Sequence, residues 1–295
     1  MGRTPGDGRA ASGDRPGLTP AAMSLTFTVL GATGFVGRHL VAHLRGQGHD
    51  CRAYGREARS QYVRPLGHVI YAIGLTSDFR QRPLDTVEAH VCVLRELLAE
   101  GGFDSLTYLS STRVYAGASA TSEDTRLGVN PNDPSDLYNL SKLTGEALCL
   151  HAGAGRAKVV RLSNVVGLRD TPDSFIDQLL EEGWPQGRLE LQTALDSRKD
   201  YIHIDDAVAQ ITAIAQSPAT GIYNVAGGAG IENRDIAELL TRQFGWSVTV
   251  RDQAPSWRFP DIDTRNTAAL TGLTARPFAE YFPTFLNQYR QHRGS

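Results

Sequence analysis

Apolar and polar positions along the 295-residue chain alternate between the rhythm of a buried strand and that of an amphipathic helix. Leu25-Thr26-Phe27-Thr28-Val29-Leu30 is β-branched and aromatic, the pattern of a buried parallel strand, and Phe35 to Leu44 carries its apolar residues at helical spacing. The apolar positions of Leu137 to Leu150 predict another helix, and His203, Asp205 and Asp206 predict the cap of one that continues through Ala207 to Ala215. Strand and helix signals alternate from Leu25 to Val165. That alternation implies an α/β fold with a doubly wound parallel sheet, right-handed crossovers and a functional edge at the C-terminal ends of its strands. Pro172, Pro185, Pro255, Pro260 and Pro277 punctuate loop-rich segments suited to wrapping a ligand.

The turn between the first strand and the first helix reads Gly31-Ala32-Thr33-Gly34-Phe35-Val36-Gly37. In such a turn Gly31 takes the tight bend, Gly34 lets the backbone approach a pyrophosphate, and Gly37 lets the helix pack near the strand with its N-terminus aimed at the phosphates. The spacing differs from the GxGxxG fingerprint, and glycine turns without a ligand are common in α/β proteins. A second motif, Tyr138-Asn139-Leu140-Ser141-Lys142, adds weight. On a helix, Tyr138 and Lys142 share a face. A phenol is a poor base at neutral pH, but a neighbouring ammonium and a positive nicotinamide favour the phenolate. Lys142 can also hold a ribose. A lone Tyr-x-x-x-Lys is more often a surface tyrosine packed on a lysine stem. Together, the two motifs read as a Rossmann-like nicotinamide site with a tyrosine acid/base beside it.

After residue 24 the chain resembles the extended short-chain dehydrogenase/reductases, and within them the NAD-dependent epimerase/dehydratase family, which works mainly on nucleotide-sugars. Thr107 to Tyr115 resembles the family's strand ending in Ser-Ser-x-x-Val-Tyr. Aligning Val114 and Tyr115 puts the catalytic hydroxyl at Ser111, with Ser110 and Thr112 as its nearest competitors. The resemblance implies that Ser111 orients the reacting oxygen, Tyr138 exchanges its proton, and Lys142 lowers the tyrosine pKa. It implies cofactor contacts at Gly31, Thr33, Gly34, Phe35, Val36, Gly37, Arg56, Ala72, Tyr138 and Lys142. Substrate contacts are implied at Ser111, Thr112, Asn164, Arg198, Lys199 and Arg258. Asn164 lies in Arg161-Leu162-Ser163-Asn164-Val165-Val166-Gly167, which resembles the family's Arg-x-x-Asn-Val-x-Gly segment. In Arg198-Lys199-Asp200-Tyr201-Ile202-His203 a lysine stands where an arginine usually meets a diphosphate, so that role is open to Arg198. Each basic residue taken singly is an ordinary solvated charge; their shared order along the chain carries the reading. The implied domains are a Rossmann domain of residues 25–166 plus 198–227 and a smaller, discontinuous C-terminal substrate lobe of residues 167–197 plus 228–295.

Departures from the family pattern refine the expectation. NAD-preferring members end the second strand with a carboxylate, whereas Asp50 to Tyr54 runs into Gly55 and Arg56, with Arg59 close behind. An arginine there accommodates a 2′-phosphate, which favours NADP; NAD is the alternative, because Glu57 can still reach a ribose hydroxyl. The chain then arrives almost at once at Leu66 to Gly74, which resembles the family's fourth strand, so much of the third strand and its helix is missing. His90 stands where the family often has an asparagine, and it reads as a partly buried helix residue. Sugar-nucleotide 4,6-dehydratases place Asp-Glu after the catalytic Thr; here Thr112-Arg113 follows Ser111, which argues against dehydration. The leading expectation is an NAD(P)-dependent oxidoreductase that reduces a keto group on a nucleotide-sugar, with Tyr138 as proton donor. An epimerase with tightly bound NAD is the alternative. A non-catalytic cofactor-sensing regulator is the alternative of another class, disfavoured by the intact Ser111, Tyr138 and Lys142.

Composition bounds these readings without choosing among them. A hydrophobic content of 41% in 295 residues can fill one sizeable core and a small lobe. Net charge is -2 with scattered basic residues, so nucleic acid is not an expected partner. Cys51, Cys92 and Cys149 are odd in number and widely spaced, as expected for free thiols in the cytoplasm, with no disulfide framework and no metal site. There is no apolar run of 18 residues for a membrane span. Residues 1–24, rich in Gly, Arg, Pro, Ala and Ser, are expected to form a disordered leader, with Met23 as a possible biological start. In family members the helices beginning near Arg80 and Tyr138 often pair into a dimer interface. Val87, Val91, Leu94, Leu97 and Leu98 fit such a homodimer, or burial within one subunit.

Overall fold

The computed structural model describes residues 1–2, 24–56 and 58–294; nearly all of the expected leader, Glu57 and the side chain of Arg59 lie outside the described residues. In chain order β1 (Thr26–Leu30), α1 (Phe35–Gly46), β2 (Asp50–Tyr54) and β3 (His68–Tyr71) lead to α2 (Pro83–Val87), a π-helical turn at Glu88–Cys92, and α3 (Val93–Glu100). Then come β4 (Ser105–Ser111), α4 (Asp136–Ala152), β5 (Ala157–Leu162), β6 (Asn164–Val166), α5 (Phe175–Gly183), β7 (Arg188–Leu191) and β8 (Arg198–His203). The chain closes with α6 (Ile204–Gln216), β9 (Gly221–Val225), β10 (Gly230–Glu232), α7 (Asn233–Phe244), β11 (Ser247–Val250), α8 (Arg265–Thr271) and α9 (Phe278–Gly294).

Six strands pair in parallel in the order β2-β1-β3-β4-β5-β9, which makes this a Rossmann-like sheet. Both faces are covered, so β5 is buried along its whole length. Leu40, Leu44, Ile211 and Ile214 of α1 and α6 pack on one face, and Val93, Leu94, Leu97 and Cys149 of α3 and α4 pack on the other. β2 is the edge strand, since the chain passes from it to β3 on the far side of β1 with, among the described residues, only a 3₁₀ turn at Arg59–Gln61 between them. The expected loss of the third strand is met.

Local chemistry sets where the elements stop. The expected strand through Tyr115 ends at Ser111, whose Oγ accepts the Arg113 N–H at 3.2 Å and starts a 3₁₀ turn at Thr112–Tyr115. His203 caps α6 as expected, its Nδ1 accepting the Asp205 N–H at 3.2 Å. Beyond the main sheet, β8 lies between β6 and β10, and β7 pairs with β11. These strands and α5, α7 and α9 enclose a separate aromatic core that includes Tyr201, Trp246, Phe278, Phe282 and Phe285.

A buried ion pair joins α4 to the sheet. The side chains of Glu146 and Arg161 are each only 4% exposed, with 2.7 Å between Nη2 and Oε2. Ser110 Oγ donates to Glu146 Oε1 at 2.5 Å, and Arg161 Nε donates to both carboxylate oxygens at 3.1 and 3.2 Å. Arg161 Nη1 donates to the Tyr115 hydroxyl at 2.8 Å, which donates to Asn224 Oδ1 at 2.9 Å. Removing one partner strands a buried charge. Glu146→Leu is therefore expected to destabilise the fold by about 3–5 kcal/mol, read from the urea midpoint. An unchanged midpoint would show that the pair does not anchor α4.

Candidate active site

The glycine turn opens the cofactor side of the sheet. Gly31 has φ 86°, and a Cβ there would meet the Ala72 carbonyl carbon at 2.7 Å, so the end of β1 is held against the segment after β3 by close backbone packing. A Cβ on Gly37 would lie 2.2 Å from the Gly31 carbonyl oxygen, so α1 packs against its own turn. Thr33 and Gly34 are exposed, Phe35 and Val36 half-buried. Gly34, at the N-cap, provides no side-chain hydrogen bond. A helix terminus with first-turn N–H groups left to a ligand is a site for phosphate, and this cradle fits a dinucleotide. Arg56, at the end of β2, reaches across to donate to the Gly74 carbonyl at 2.8 Å.

Tyr138, 5% exposed, stands on the first turn of α4 with its ring 5.2 Å from Phe79 and 5.2 Å, edge-on, from His90. Burial raises its pKa, opposed by a hydrogen bond with the Ser111 hydroxyl and by the charge of Arg113. Lys142 Nζ is 5.9 Å from the Tyr138 ring centroid and donates to the Leu109 carbonyl at 2.9 Å. Burial lowers its pKa to about 7, against the pull of Glu146. Ser111, Tyr138 and Lys142 thus converge from β4 and α4 at the C-terminal edge of the sheet.

His90 is more deeply buried than its sequence pattern implied, with no exposed surface. Nε2 accepts the Leu75 N–H at 3.2 Å, which requires the Nδ1–H tautomer. Nδ1 then donates to Ser141 Oγ at 2.8 Å, whose hydroxyl donates to the Tyr138 carbonyl at 2.8 Å. His90 therefore buttresses the turn of α4 that carries Tyr138 and Lys142. Arg113 was missed as a site residue. Its guanidinium lies 5.8 Å from the Tyr138 ring centroid, and only the register of the turn after β4 brings it there.

The expected substrate residues fall in two places. Ser111, buried Thr112 and Lys199 lie on the Tyr138 side, Lys199 with Nζ 4.3 Å from the Phe175 ring centroid. Arg198 points from the opposite face of β8 and donates to Asp261 Oδ1 at 2.6 Å, while Arg258 donates to Asp196 Oδ2 at 2.5 Å. Both line a second cleft of about 570 Å³ with Gly230, Glu232 and Asp235. Asn164 is exposed, its Nδ2 donating to the Asp200 carbonyl at 2.7 Å. Asp200 is buried, which pushes its carboxyl up to about 6 while the Gly227 and Gly228 N–H groups bind it at 2.8 and 2.7 Å. No helix among the described residues is long and apolar enough to cross a membrane.

A dinucleotide cradle facing a buried tyrosine and lysine across the edge of a parallel sheet defines the nicotinamide-dependent Rossmann enzymes. Within them, residues 27–226 match the family model described as the NAD dependent epimerase/dehydratase family, and the chain belongs to that family. GDP-6-deoxy-D-mannose reductase of Pseudomonas aeruginosa is 28% identical over 246 residues, 74% of this chain and 80% of that protein. A dTDP-glucose 4,6-dehydratase of Streptomyces griseus is 29% identical over 65% of this chain and 60% of its own length. MoeE5 in complex with UDP-glucose and NAD has the same fold, with a TM-score of 0.77 at 20% identity over 92% of this chain and 100% of that one. So has UDP-glucuronic acid 4-epimerase from Bacillus cereus in complex with UDP-glucuronic acid and NAD, at 0.75 and 18% over 90% and 99%.

The burial of His90 has a consequence for acid stability. Its pKa is lowered to about 2, mainly by burial and then by the charges of Lys142 and Arg56. The unfolded chain takes up the proton first, so this contribution to stability is present above pH about 6.5 and is lost progressively as pH falls below it. In urea titrations, the stability of the wild type relative to His90→Asn is expected to fall between pH 7 and 4.5. A constant difference would mean that His90 charges freely in the folded protein.

Proposed function

We propose that the chain reduces a keto group on a nucleotide-sugar by hydride transfer, with Tyr138 as proton donor. The observation that carries this reading is the convergence of Ser111, Tyr138 and Lys142 beside the open N-terminus of α1, with Thr112 and Arg113 rather than carboxylates following Ser111. The reductase relative from Pseudomonas aeruginosa supports the same direction. When bound, the nicotinamide supplies the hydride to the carbonyl carbon. Gly31, Thr33, Gly34, Phe35, Val36, Gly37 and Ala72 frame its pyrophosphate side, and Lys142 holds the adjoining ribose. Ser111 donates to the substrate oxygen and orients it. Tyr138 then gives that oxygen its proton as negative charge develops there, and the Lys142 ammonium offsets the phenolate left behind.

Arg56 follows β2 at the position where an arginine accommodates a 2′-phosphate, which supports NADP as the cofactor. The second reading is an epimerase with tightly held NAD. It draws on the same arginine, which donates to the Gly74 carbonyl rather than lying open to a phosphate. Half-buried Val87, Val91 and Leu98 and exposed Leu150 support a homodimer through the α3 and α4 face.

Mass spectrometry of the denatured, freshly purified protein, followed by NADPH and NADH titration of the emptied protein, tests the cofactor. Selective NADPH binding is expected, whereas stoichiometric NAD carried through purification would favour the epimerase. Tyr138→Phe is expected to lower kcat by about 10²–10⁴-fold with cofactor affinity retained. Full turnover in that variant would overturn the assignment of the proton donor.

A further inference from the structure

The turn after β4 brings a cation to Tyr138 in addition to Lys142. Arg113 donates its backbone N–H to the Ser111 hydroxyl oxygen at 3.2 Å, so the residue that orients Ser111 sends its guanidinium out of the same turn. That guanidinium lies 5.3 Å from the Phe79 ring centroid and 5.8 Å from that of Tyr138. The two rings are 5.2 Å apart, and Arg113 is seated against both. Its Nε is buried without a hydrogen-bond partner. Asp136 and Asp133 act on it through charge alone, and Asp136 already accepts from Asn139 Nδ2 and from the Asn130 N–H, each at 2.7 Å. The positive charge is left to act on the phenol.

The other groups around the ring are engaged elsewhere or uncharged. His90 meets the ring edge-on and is held neutral by burial, and the Tyr108 hydroxyl donates to the His90 carbonyl at 3.2 Å. Lys142 Nζ, 5.9 Å from the Tyr138 centroid, donates to the Leu109 carbonyl at 2.9 Å. Arg80 covers the Phe79 ring at 4.6 Å and donates to Ser135 Oγ at 2.9 Å. Lys199 is seated on another ring, 4.3 Å from the Phe175 centroid on α5. What opposes burial at the Tyr138 phenol is the Ser111 hydrogen bond and then the charge of Arg113, which sets Arg113 apart from Lys199.

We propose that Arg113 is a positioning residue for the proton transfer: its guanidinium, held against Phe79, stabilises the phenolate that Tyr138 becomes when its proton leaves. The inference rests on the reading of Tyr138 as proton donor above. In that step the Tyr138 O–H bond breaks, a new O–H bond forms on the substrate oxygen, and the electron pair left on the phenol oxygen is offset by Arg113 together with Lys142. A carboxylate at position 113 would oppose that charge; the arginine favours it.

Fluorine NMR of the full-length chain with a ring-fluorinated tyrosine at position 138 tests the proposal, because the resonance follows ionisation of that one phenol with no substrate present. The chain is titrated with pH both empty and saturated with NADPH. Arg113→Gln is expected to weaken ionisation at this position on the order of 10- to 100-fold, Arg113→Lys to recover part of the loss, and Lys199→Met to leave the titration unchanged. Damage to packing alone would move the Arg113→Gln titration the other way, since admitting water relieves the burial that raises the Tyr138 pKa. An unshifted or strengthened ionisation in Arg113→Gln, or an equal weakening in Lys199→Met, would overturn the inference and leave the reductase reading standing. Arg113→Met takes the place of Arg113→Gln should the latter not fold. Full turnover in Tyr138→Phe would overturn both readings, so the two failures are distinct.

Discussion

The arrangement of the site depends on the buried ion pair between Glu146 and Arg161. Glu146 lies one helical turn beyond Lys142 and two beyond Tyr138, so all three share one face of α4. Two charges removed from water hold only one geometry well, the one in which every donor and acceptor is met. Here Ser110 and three donations from Arg161 fill the carboxylate. The helix therefore has little freedom to slide or rotate along β4 and β5, and Tyr138 is held where the Ser111 hydroxyl can reach it. The same carboxylate helps Lys142 keep its proton against burial. On its other side the network continues through Tyr115 to Asn224, whose Nδ2 donates to the carbonyls of Thr121 and Asp263 at 2.8 Å. The segment leading to α8 is thus fastened to the same network that holds α4.

What could be read from the sequence was chemistry enforced over short distances. Gly31 and Gly37 were legible because the turn between β1 and α1 leaves no room for a side chain, whatever the rest of the chain does. Tyr138 and Lys142 were legible because helical periodicity alone makes them neighbours, and the shortened sheet was legible because too few residues separate β2 from β3. Other features required long-range register. Nothing in the spacing of His90 announces that Leu75, Ser141 and Tyr138 will close around its ring. Arg198 and Lys199 were both expected at the substrate, with the diphosphate role open to Arg198, but strand alternation sends Arg198 to Asp261 and Lys199 toward Arg113. Arg113 itself was counted only as the absence of an acid. Its contribution as a cation emerges when the 3₁₀ turn at Thr112–Tyr115 sets it over Tyr138 and Phe79.

The electrostatics of the tyrosine also differ from those implied by its motif. The motif assigns activation of the phenol to Lys142, yet the charge that lowers the Tyr138 pKa belongs to Arg113, while Lys142 is turned to the Leu109 carbonyl. Burial outweighs both the Ser111 hydrogen bond and Arg113, so Tyr138 rests as the protonated phenol at neutral pH. A carbonyl being reduced needs that form of the residue, because the developing alkoxide takes its proton from it. An alcohol being oxidised needs the phenolate, which this site favours only once further positive charge arrives near the ring. Protonated Tyr138 is the form that proton donation to a developing alkoxide requires, and this is the form the proposed reduction uses.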